Sequence, residues 1–591
     1  MATVALIQAP IANLDYPSLG LGYIESFLKD AGHNTILEDF NLKFYLSKDG
    51  RLLWHRLKDL ISFYIYDRAK YIDFIVTLLD LQSTGREGTV PAQRSREIID
   101  DIINVPYFRE VDVFGFTVSD YNSLLSLYIA KKLKHSFDKP IVFGGPECEL
   151  FRRGNDFLDS GFVDYLVVGD GETAMKSLVN SLDEAAKRKI NELPVPGTVI
   201  RGHPPDDLNE TPFPDFISAR RHGYLSGVIP LTTSRGCRRR CAFCDNYLRE
   251  SPFLKRSPEN VIEEIKTQKV KYNTSRFLFN DAMIDWDLSF LEKLCDLIIS
   301  NRLEITWESR ASLNGGFTPR LLDKMAVSGC KQLRFGLESA SPKVLKLMNK
   351  KMTHMPDILK RVYEAGIAVH TCWIVGFPGE ELTDFSKTLE FITKSAHMID
   401  SASFTPLLLK DYTRLRQSAG QSNFTRVPDE EDSRLPNPWK NCFLWRCKES
   451  NWEIEKEGNT VSERRGRCIV AQMLYTYCKH RADFSSTCPP VLTNDWQSRM
   501  SSGLKRLLDF PAKVLWAMGI PFIHINSTPV GEEISPTLAQ LLGHLQKYPS
   551  QDGVVDLLAS IANPTVIGMT GALMAELEEL LPPYNAGGHL L

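Results

Sequence analysis

The strongest constraint on the fold is an alternation of short apolar segments with amphipathic helical segments in the first third of the chain. Residues 19–30 form one amphipathic segment, with Leu21, Ile24 and Leu28 at helical spacing. Strands that alternate with helices build parallel sheets, so this region predicts an α/β, Rossmann-like, doubly wound sheet. Its predicted strands are residues 3–9, 35–38, 111–117, 141–143 and 165–168.

The alternation pauses at a linker, residues 201–228, which contains Pro212 and Pro214, and then restarts. The renewed alternation predicts a partial (β/α)6 barrel of the TIM type over residues 229–420, with its functional groups at the C-terminal ends of the strands. The predicted barrel strands are residues 230–233, 277–279, 305–307, 332–336, 369–375 and 401–406.

The remaining segments complete a division into domains, because 591 residues are too many for one hydrophobic core. Residues 1–200 form the predicted first domain, which contains a helical insertion at about residues 50–105. Residues 421–591 lose the alternation and predict a mainly α region, with helices over 503–519 and 535–581. We expect this region to shape a substrate pocket over the barrel mouth.

Composition narrows the class of protein. A hydrophobic fraction of 43%, a charged fraction of 24% and a net charge of −3 are typical of a globular protein and give no general attraction to nucleic acid or anionic membranes. No apolar run reaches the roughly 18–20 residues that a membrane helix needs, and the N-terminus lacks the layout of a signal peptide. With 12 cysteines and no secretion signal, the chain is predicted to be cytoplasmic, without nucleic-acid or membrane partners.

Three cysteines in one short loop after the first barrel strand indicate a metal cofactor. Cys237, Cys241 and Cys244 have the spacing Cys-x-x-x-Cys-x-x-Cys. Three thiolates can hold three irons of a four-iron–four-sulfur cluster and leave the fourth iron open. A structural zinc site normally needs a fourth protein ligand, and the next cysteine is Cys295. The trio therefore favours a reactive iron–sulfur cluster over structural zinc.

The cysteine loop and later strand ends together resemble the radical S-adenosylmethionine (AdoMet) superfamily. The matching segments are Phe279-Asn280-Asp281, the run from Arg334 to Ser339 and the run from Trp373 to Glu380, in that order. The resemblance implies that the open iron binds AdoMet and that a reductant such as flavodoxin or ferredoxin drives its cleavage to a 5′-deoxyadenosyl radical. It implies AdoMet contacts from Phe243, Asn280, Asp281, Arg310, Glu338, Ser339, Val375 and Gly376.

The N-terminal region resembles the cobalamin-binding domain that is often fused ahead of such a barrel. Glycine-containing segments follow its predicted strands and would line the C-terminal edge of the sheet, where such folds bind ligands. The implied cobalamin contacts are Pro17, Ser18, Leu19, Gly20, Ser119, Asp120, Gly144, Gly145, Pro146, Glu147, Gly169, Asp170, Gly171 and Glu172.

The chain departs from many cobalamin domains because it lacks the Asp-x-His-x-x-Gly motif whose histidine ligates cobalt. The loop from Gln8 to Gly22 contains no histidine, and His33 is expected to be structural. The prediction is cobalamin bound without a histidine ligand, with a weakly ligated lower face that favours onward transfer of a methyl group.

Together the two resemblances imply a cobalamin-dependent radical AdoMet methyltransferase. Its methyl group would pass from methylcobalamin to an unactivated carbon or phosphorus centre of a small-molecule, natural-product or peptide substrate. The alternative is a cyclase or rearrangement enzyme with the same cofactors and no net methylation. Methylthio transfer is disfavoured because the N-terminal region holds only Cys148. A cobalamin-binding regulator is disfavoured by the intact cysteine loop.

Other polar and cysteine clusters receive simpler interpretations. Cys295, Cys330 and Cys372 are expected to lie in the core. The run from Arg464 to Arg467 is expected to form a solvated face, with contact to an acidic peptide or phosphate as the alternative, and the run from Arg238 to Arg240 either offsets the cluster charge or holds a carboxylate. The C-terminal cysteines lack the paired spacing typical of auxiliary clusters, so they are not expected to bind one. A second iron–sulfur cluster is the alternative interpretation. These cysteines are Cys442, Cys447, Cys468, Cys478 and Cys488.

Overall fold

A computed structural model describes most of the chain up to residue 482. The described residues are 1–63, 68–79, 89–188, 195–216, 223–224, 226–246, 252–313, 316–350, 355–410, 412–418, 424–426, 439, 452–454 and 459–482. The predicted helices over 503–519 and 535–581 lie outside these residues, as do Cys442, Cys447 and Cys488.

The described residues belong to two compact units. Unit 1 comprises residues 1–239, 245–309 and 429–447, and the described residues of unit 2 fall within 240–244, 310–428 and 448–591. The domain boundaries drawn from the sequence remain predictions.

The N-terminal part of unit 1 is a six-stranded parallel sheet with the strand order β2-β1-β3-β4-β5-β6. The order reverses beside β1, as in doubly wound folds, so the predicted Rossmann-like sheet is confirmed. The sequence analysis missed the edge strand β6, whose side chains are mostly half-buried. The strands are β1 (Thr3–Gln8), β2 (Asn34–Asp39), β3 (Val113–Thr117), β4 (Ile141–Gly144), β5 (Tyr165–Gly169) and β6 (Thr198–Gly202).

Helices connect and cover these strands. The predicted helical insertion is present as α3 to α5, and Trp54 of α3 packs in the same apolar core as Phe114 of β3. The helices are α1 (Leu19–Asp30), α2 (Phe40–Leu46), α3 (Gly50–Phe63), α4 (Arg68–Leu78), α5 (Thr89–Ile103), α6 (Ser123–Phe137), α7 (Gly154–Leu158) and α8 (Gly171–Arg188).

The second six-stranded sheet has the order β14-β13-β12-β11-β10-β7, so each barrel strand lies beside its predecessor. In unit 1, β7 (Ile229–Leu231), β10 (Arg276–Phe279) and residues 306–309 of β11 (Thr306–Ala311) pair in parallel. In unit 2, β12 (Cys330–Glu338), β13 (Ala368–Val375) and β14 (Ser401–Pro406) do the same. The predicted succession of barrel strands is therefore confirmed.

Helices again alternate with the barrel strands. Ser257 caps the first of them by accepting a hydrogen bond from the Asn260 N–H, and Pro258 takes the first helical position, as the sequence predicts. The helices are α9 (Pro258–Tyr272), α10 (Leu288–Ser300), α11 (Pro319–Val327), α12 (Pro342–Leu347), α13 (Met355–Glu364) and α14 (Leu382–Ser395).

The described part of the C-terminal region belongs mainly to unit 2. Its longest element is the helix α16 (Val461–Ala482), which buries Ala471, Leu474 and Tyr475. Among the residues that the structure describes, no helix is long and apolar enough to cross a membrane. The short elements of the molecule are α15 (Arg414–Ser418) and the antiparallel pairs β8 (Ser234–Arg235) with β9 (Leu254–Lys255) and β15 (Thr425–Arg426) with β16 (Trp452–Glu453).

Candidate functional site

The segment that leads from β7 into the cysteine loop is fixed by a buried carboxylate. Asp281 accepts hydrogen bonds from the Thr233 N–H at 3.1 Å, the Thr233 hydroxyl at 2.9 Å and the Ser234 hydroxyl at 2.6 Å. Burial raises the pKa of Asp281, and these hydrogen bonds oppose the shift. Asp281, expected to contact AdoMet, thus holds the backbone that precedes the cysteines. Its neighbour Asn280 is half-buried, and its N–H donates to the Leu231 carbonyl at 2.8 Å.

The cysteine loop itself presents three half-buried thiols, and none of them forms a disulfide. The Arg239 N–H lies 3.4 Å from Cys237 Sγ, and the Cys244 N–H donates to the Cys241 carbonyl at 3.2 Å. Among the described residues, no three His, Cys, Asp or Glu side chains are gathered as ligands of a single ion. An irregular loop with three half-buried cysteines outside any disulfide, one of them near a backbone N–H, fits the ligand set of an iron–sulfur cluster.

Backbone contacts anchor the part of the loop that belongs to unit 2. The Ala242 N–H donates to the Met348 carbonyl at 2.9 Å, and the Ala242 carbonyl accepts from the Leu415 N–H at 2.8 Å. Phe243 packs against an apolar cluster that includes Phe377 and Trp452. Phe243, an expected AdoMet contact, therefore also fixes the loop.

Two of the arginines in the loop pack against polarizable side chains. The Arg238 guanidinium lies 4.4 Å from the ring centroid of Phe253 and 5.8 Å from that of Trp286. Arg239 Nε lies 3.4 Å from Met283 Sδ. These cation–π and sulfur contacts hold positive charge within the cysteine loop.

The expected AdoMet contacts at the end of β12 form hydrogen bonds and ion pairs with other residues of the chain. Glu338 has a φ of +64°, and Lys350 Nζ donates to its Oε1 at 2.8 Å and to the Gly336 carbonyl at 2.6 Å. A side chain at position 336 would place Cβ 2.4 Å from Glu338 Oε1, so the Glu338 carboxylate would have to move. Ser339 is buried, and its hydroxyl accepts from the Ser341 N–H at 3.1 Å.

The turn after β13 is held by groups from two segments. Gly376 has a φ of +77°, its N–H donates to Glu380 Oε2 at 2.6 Å, and its carbonyl accepts from Asn459 Nδ2 at 3.1 Å. Burial raises the pKa of Glu380 to about 7. Val375 is buried, whereas Arg310 at the end of β11 is exposed.

At the N-terminal sheet, the loop after β1 ends at the cap of α1. The Ser18 hydroxyl accepts from the Leu21 N–H at 3.4 Å, Pro17 is buried, and Leu19 is half-buried. Asn41 Oδ1 accepts from the Ala12 N–H at 3.0 Å and fixes the middle of this loop. Gly20 is exposed, and a Cβ there would meet nothing within 4 Å.

The loops after β3 and β4 interlock. The Ser119 N–H donates to Asn122 Oδ1 at 2.7 Å, and the Val118 N–H donates to the Gly144 carbonyl at 2.7 Å. Gly145 has a φ of +107°, and a Cβ there would lie 2.8 Å from the Val118 carbonyl oxygen. Of the other expected contacts in these loops, Asp120 and Pro146 are half-buried.

The turn after β5 is equally tight. Gly169 has a φ of +80°, and a Cβ there would lie 2.7 Å from the Gly202 carbonyl oxygen. Gly20, Gly145 and Gly169 are all exposed at the C-terminal edge of the sheet, and Gly171 is half-buried at the start of α8. This backbone cradle fits a ligand that approaches the main chain closely.

Two arginines connect these glycine loops to residues that flank the cysteine loop, all within unit 1. Arg235 Nη2 lies 2.6 Å from Glu172 Oε1, and Arg235 Nη1 lies 3.7 Å from Asp170 Oδ2. Arg152 forms ion pairs with both Glu147 and Asp245. Arg235 stands two residues before Cys237, and Asp245 directly follows Cys244. Sequence reasoning missed Arg152, Arg235 and Asp245 because their partners are remote in the chain.

One expectation about charge is wrong. Arg464 and Arg467 do not form a solvated face, since they expose only 1% and 3% of their surface. Arg467 pairs with Glu380, 87 residues earlier, and the stem of Arg464 packs against Gly376, contacts that the local pattern cannot reveal.

The histidine and the described cysteines outside the loop behave as structural groups. Buried His33 accepts from the Ala2 N–H at 3.2 Å through Nδ1, and its Nε2 lies 2.8 Å from Asn180 Oδ1. Cys295 and Cys330 are buried, as expected for core residues, and Cys372 is half-buried. Cys148, Cys468 and Cys478 are also buried.

Comparison with known proteins identifies the central region. Residues 231–392 match the family described as the Radical SAM superfamily. The chain is 28% identical over 345 residues to an uncharacterized methyltransferase of Pyrococcus horikoshii. This alignment covers 55% of this chain and 72% of the relative. It is 24% identical over 388 residues to cytidylyl-2-hydroxyethylphosphonate methyltransferase of Streptomyces wedmorensis, and this alignment covers 56% of this chain and 71% of the relative.

A solved structure shares the fold over most of the chain. The radical S-adenosylmethionine methyltransferase TsrM from Kitasatospora setae, with cobalamin and a four-iron–four-sulfur cluster bound, superposes with a TM-score of 0.54 at 14% identity. The match covers 89% of this chain and 100% of that protein. The chain therefore carries a radical SAM domain within a fold similar to that of a radical SAM methyltransferase, which confirms the predicted resemblance.

Proposed function

We propose that this protein is a cobalamin-dependent radical AdoMet methyltransferase acting on an unactivated carbon or phosphorus centre of a small-molecule or peptide substrate. The observation that carries the proposal is the pair of arginine bridges around the cysteine loop. Arg235 and Asp245 flank the three cysteines, and their partners belong to the glycine loops of the N-terminal sheet. Two cofactor loops tied in this way suit a reaction that uses both cofactors in one catalytic cycle.

Each cofactor has a set of residues that fits it. The thiolates of Cys237, Cys241 and Cys244 would hold the iron–sulfur cluster, and the glycine loops that include Gly145 and Gly169 would cradle cobalamin. When bound, the cluster supplies the electron that cleaves AdoMet, and cobalamin carries the methyl group.

The chain supplies position and shelter for this chemistry. Asp281 fixes the entry to the cysteine loop, and the Ala242 backbone contacts fix its second half. The loop from Gln8 to Gly22 offers no histidine, so we propose that cobalt is bound without one. We also propose that a flavodoxin- or ferredoxin-type protein delivers the electrons and that residues 421–591 shape the substrate pocket.

The test begins with anaerobic reconstitution of the full chain and measurement of iron and cobalamin. The proposal predicts about four irons and one cobalamin per chain, and a cob(II)alamin EPR spectrum without nitrogen superhyperfine splitting. A substrate screen by mass spectrometry should then find a product heavier by one methyl group. A product of unchanged mass would support rearrangement instead.

Cysteine variants provide the matched comparison. Cys241→Ala should lose iron and turnover but keep cobalamin, whereas Cys295→Ala, which alters a buried cysteine of helix α10, should keep all three. Turnover by Cys241→Ala would contradict the radical mechanism. Reconstituted protein that contains iron and no cobalamin would indicate that the N-terminal sheet has only a structural role.

A further inference from the structure

Two arginines of helix α16 are almost completely buried against the turn that follows β13. Arg464 exposes 1% of its surface and Arg467 exposes 3%. Arginine is rarely buried to this degree unless its charge is paired and its donors are bonded. The bonds that these two side chains make lead to the backbone of Gly376.

Arg464 packs against the turn and is held by hydrogen bonds to neighbouring backbone carbonyls. Its Nη1 donates to the Asn459 carbonyl at 3.1 Å, its Nη2 donates to the Trp452 carbonyl at 2.7 Å, and its guanidinium lies 3.7 Å from the Trp452 ring centroid. Its aliphatic stem covers Gly376 so closely that a Cβ there would lie 2.1 Å from Arg464 Cγ. Asn459, which Arg464 holds, donates to the Gly376 carbonyl at 3.1 Å.

Arg467 acts on the other side of the same glycine. Its Nη1 lies 3.5 Å from Glu380 Oε2, and its Nε donates to Glu463 Oε1 at 2.9 Å. Glu380 Oε2 in turn accepts the Gly376 N–H at 2.6 Å, and Glu380 is 2% exposed. Both backbone polar groups of Gly376 are thus bonded to side chains that an arginine of α16 supports.

The left-handed backbone of Gly376 depends on these partners. A turn with a φ of +77° has no regular secondary structure to hold it, and here both of its hydrogen bonds end on side chains. One of these partners, Asn459, lies 83 residues further along the chain. The C-terminal segment that contains Asn459, Arg464 and Arg467 therefore completes a turn that the barrel cannot fix alone.

We propose that Arg464 and Arg467 are positioning residues for AdoMet, acting through the turn at Gly376. The proposal rests on the proposed function, because it takes the turn after β13 as part of the AdoMet site. It assigns the C-terminal region a role in binding the cosubstrate in addition to any role in binding the substrate.

The test measures AdoMet affinity of the reconstituted full chain. Arg467→Gln should raise the dissociation constant for AdoMet about tenfold, the effect expected when one charge-assisted hydrogen bond is lost. Arg467→Lys keeps the charge and should recover part of that loss. Arg464→Ala removes the stem that covers Gly376 and should weaken AdoMet binding at least as much.

Tyr475→Phe is the matched control on the same helix. It removes a hydrogen bond from the Tyr475 hydroxyl to the Ile399 carbonyl, 3.2 Å long and remote in sequence from the turn. It should leave the AdoMet affinity unchanged, because it leaves the contacts of Arg464 and Arg467 with the turn intact. Iron and cobalamin content should equal those of the wild type in all four variants.

A spectroscopic measurement separates positioning from general destabilisation. AdoMet binding to the reduced cluster should change its EPR spectrum, and the AdoMet concentration at the midpoint of this change should rise in Arg467→Gln and Arg464→Ala. Wild-type affinity in both folded variants, or equal loss in Tyr475→Phe, would overturn the inference. Failure of the wild type itself to bind AdoMet would instead refute the proposed function, and the inference with it.

Discussion

Replacing Arg235 by methionine tests whether the ion pair with Glu172 holds the cysteine loop to the N-terminal sheet. The Arg235 and Glu172 side chains are 15% and 11% exposed, and their closest atoms lie 2.6 Å apart. Removing one partner of a buried ion pair costs about 3–5 kcal/mol because the other charge stays desolvated. The residual exposure and the second acceptor, Asp170, favour the lower end, so we expect Arg235→Met to cost about 3 kcal/mol.

The assay is urea unfolding of the apoprotein, followed through the first transition, for Arg235→Met, Glu172→Gln and the double variant. The cycle should show a coupling free energy of roughly 1–3 kcal/mol, because the two side chains are in direct contact. Arg276→Met is the matched control, since Arg276 is an exposed arginine of the same unit that donates to the Ser226 carbonyl at 2.8 Å. Additive single effects, or an Arg235→Met midpoint equal to that of Arg276→Met, would refute the reasoning.

Three further predictions concern single groups. Gly145→Ala should remove cobalamin and keep iron, both measured per chain. The φ of +107° costs a residue with a side chain about 1–3 kcal/mol, and the added Cβ would meet the Val118 carbonyl oxygen. Retention of cobalamin would contradict its proposed binding by this loop. Asp281→Asn should lower iron retention after reconstitution, because an amide donor would face the Thr233 N–H; full retention would count against its anchoring role. The pKa of Glu380 is raised from 4.5 to about 7 by burial, against the opposing effects of Arg467 and the Gly376 N–H, with Asp384 adding to the increase. Protonated Glu380 therefore favours the folded state, and its contribution of about 3 kcal/mol, complete below pH 4.5, should disappear as the pH rises through 7. Thermal midpoints at pH 5 and pH 8 should differ less in Glu380→Gln than in the wild type, and equal differences would exclude Glu380 as the source.

Local patterns predict the elements of this fold well where a segment buries one face. The predicted helix over 19–30 and the predicted strand over 401–406 coincide with α1 and β14. Edge strand β6 escapes prediction because an edge position leaves its side chains mostly half-buried and weakens the apolar signal. Element boundaries elsewhere shift by a few residues, as at Val113, where β3 begins.

The contacts that define the site are harder to predict, because they join distant parts of the chain. Arg235 and Glu172 are 63 residues apart, and Arg467 and Glu380 are 87 residues apart. Nothing near Arg464 and Arg467 in sequence marks them as buried, and their local composition is typical of a solvated helix face. The motifs locate the loops, whereas the partners of their carboxylates follow only from the tertiary structure.

Those partners point to a design shared by two glycine loops of the N-terminal sheet and the turn at Gly376. Each loop places a glycine with positive φ at a strand end, Gly145, Gly169 or Gly376, and follows it within four residues by a buried glutamate. Every one of these glutamates is bound by an arginine: Glu147 by Arg153 at 2.9 Å, Glu172 by Arg235 at 2.6 Å and Glu380 by Arg467 at 3.5 Å.

The physical reason lies in the backbone conformation of such turns. Glycine loses more conformational freedom on folding than any other residue, so a turn that places a glycine at positive φ needs further contacts to hold it. At Gly376 the following glutamate, Glu380, accepts the glycine N–H at 2.6 Å, whereas the Gly169 N–H donates to Glu149 Oε1 at 3.1 Å. The arginine bound to each buried glutamate compensates the charge that burial would otherwise penalise. Carboxylates thus hold the turns at Gly169 and Gly376, and under the proposed function the exposed backbone of Gly145 and Gly169 would be the surface offered to cobalamin.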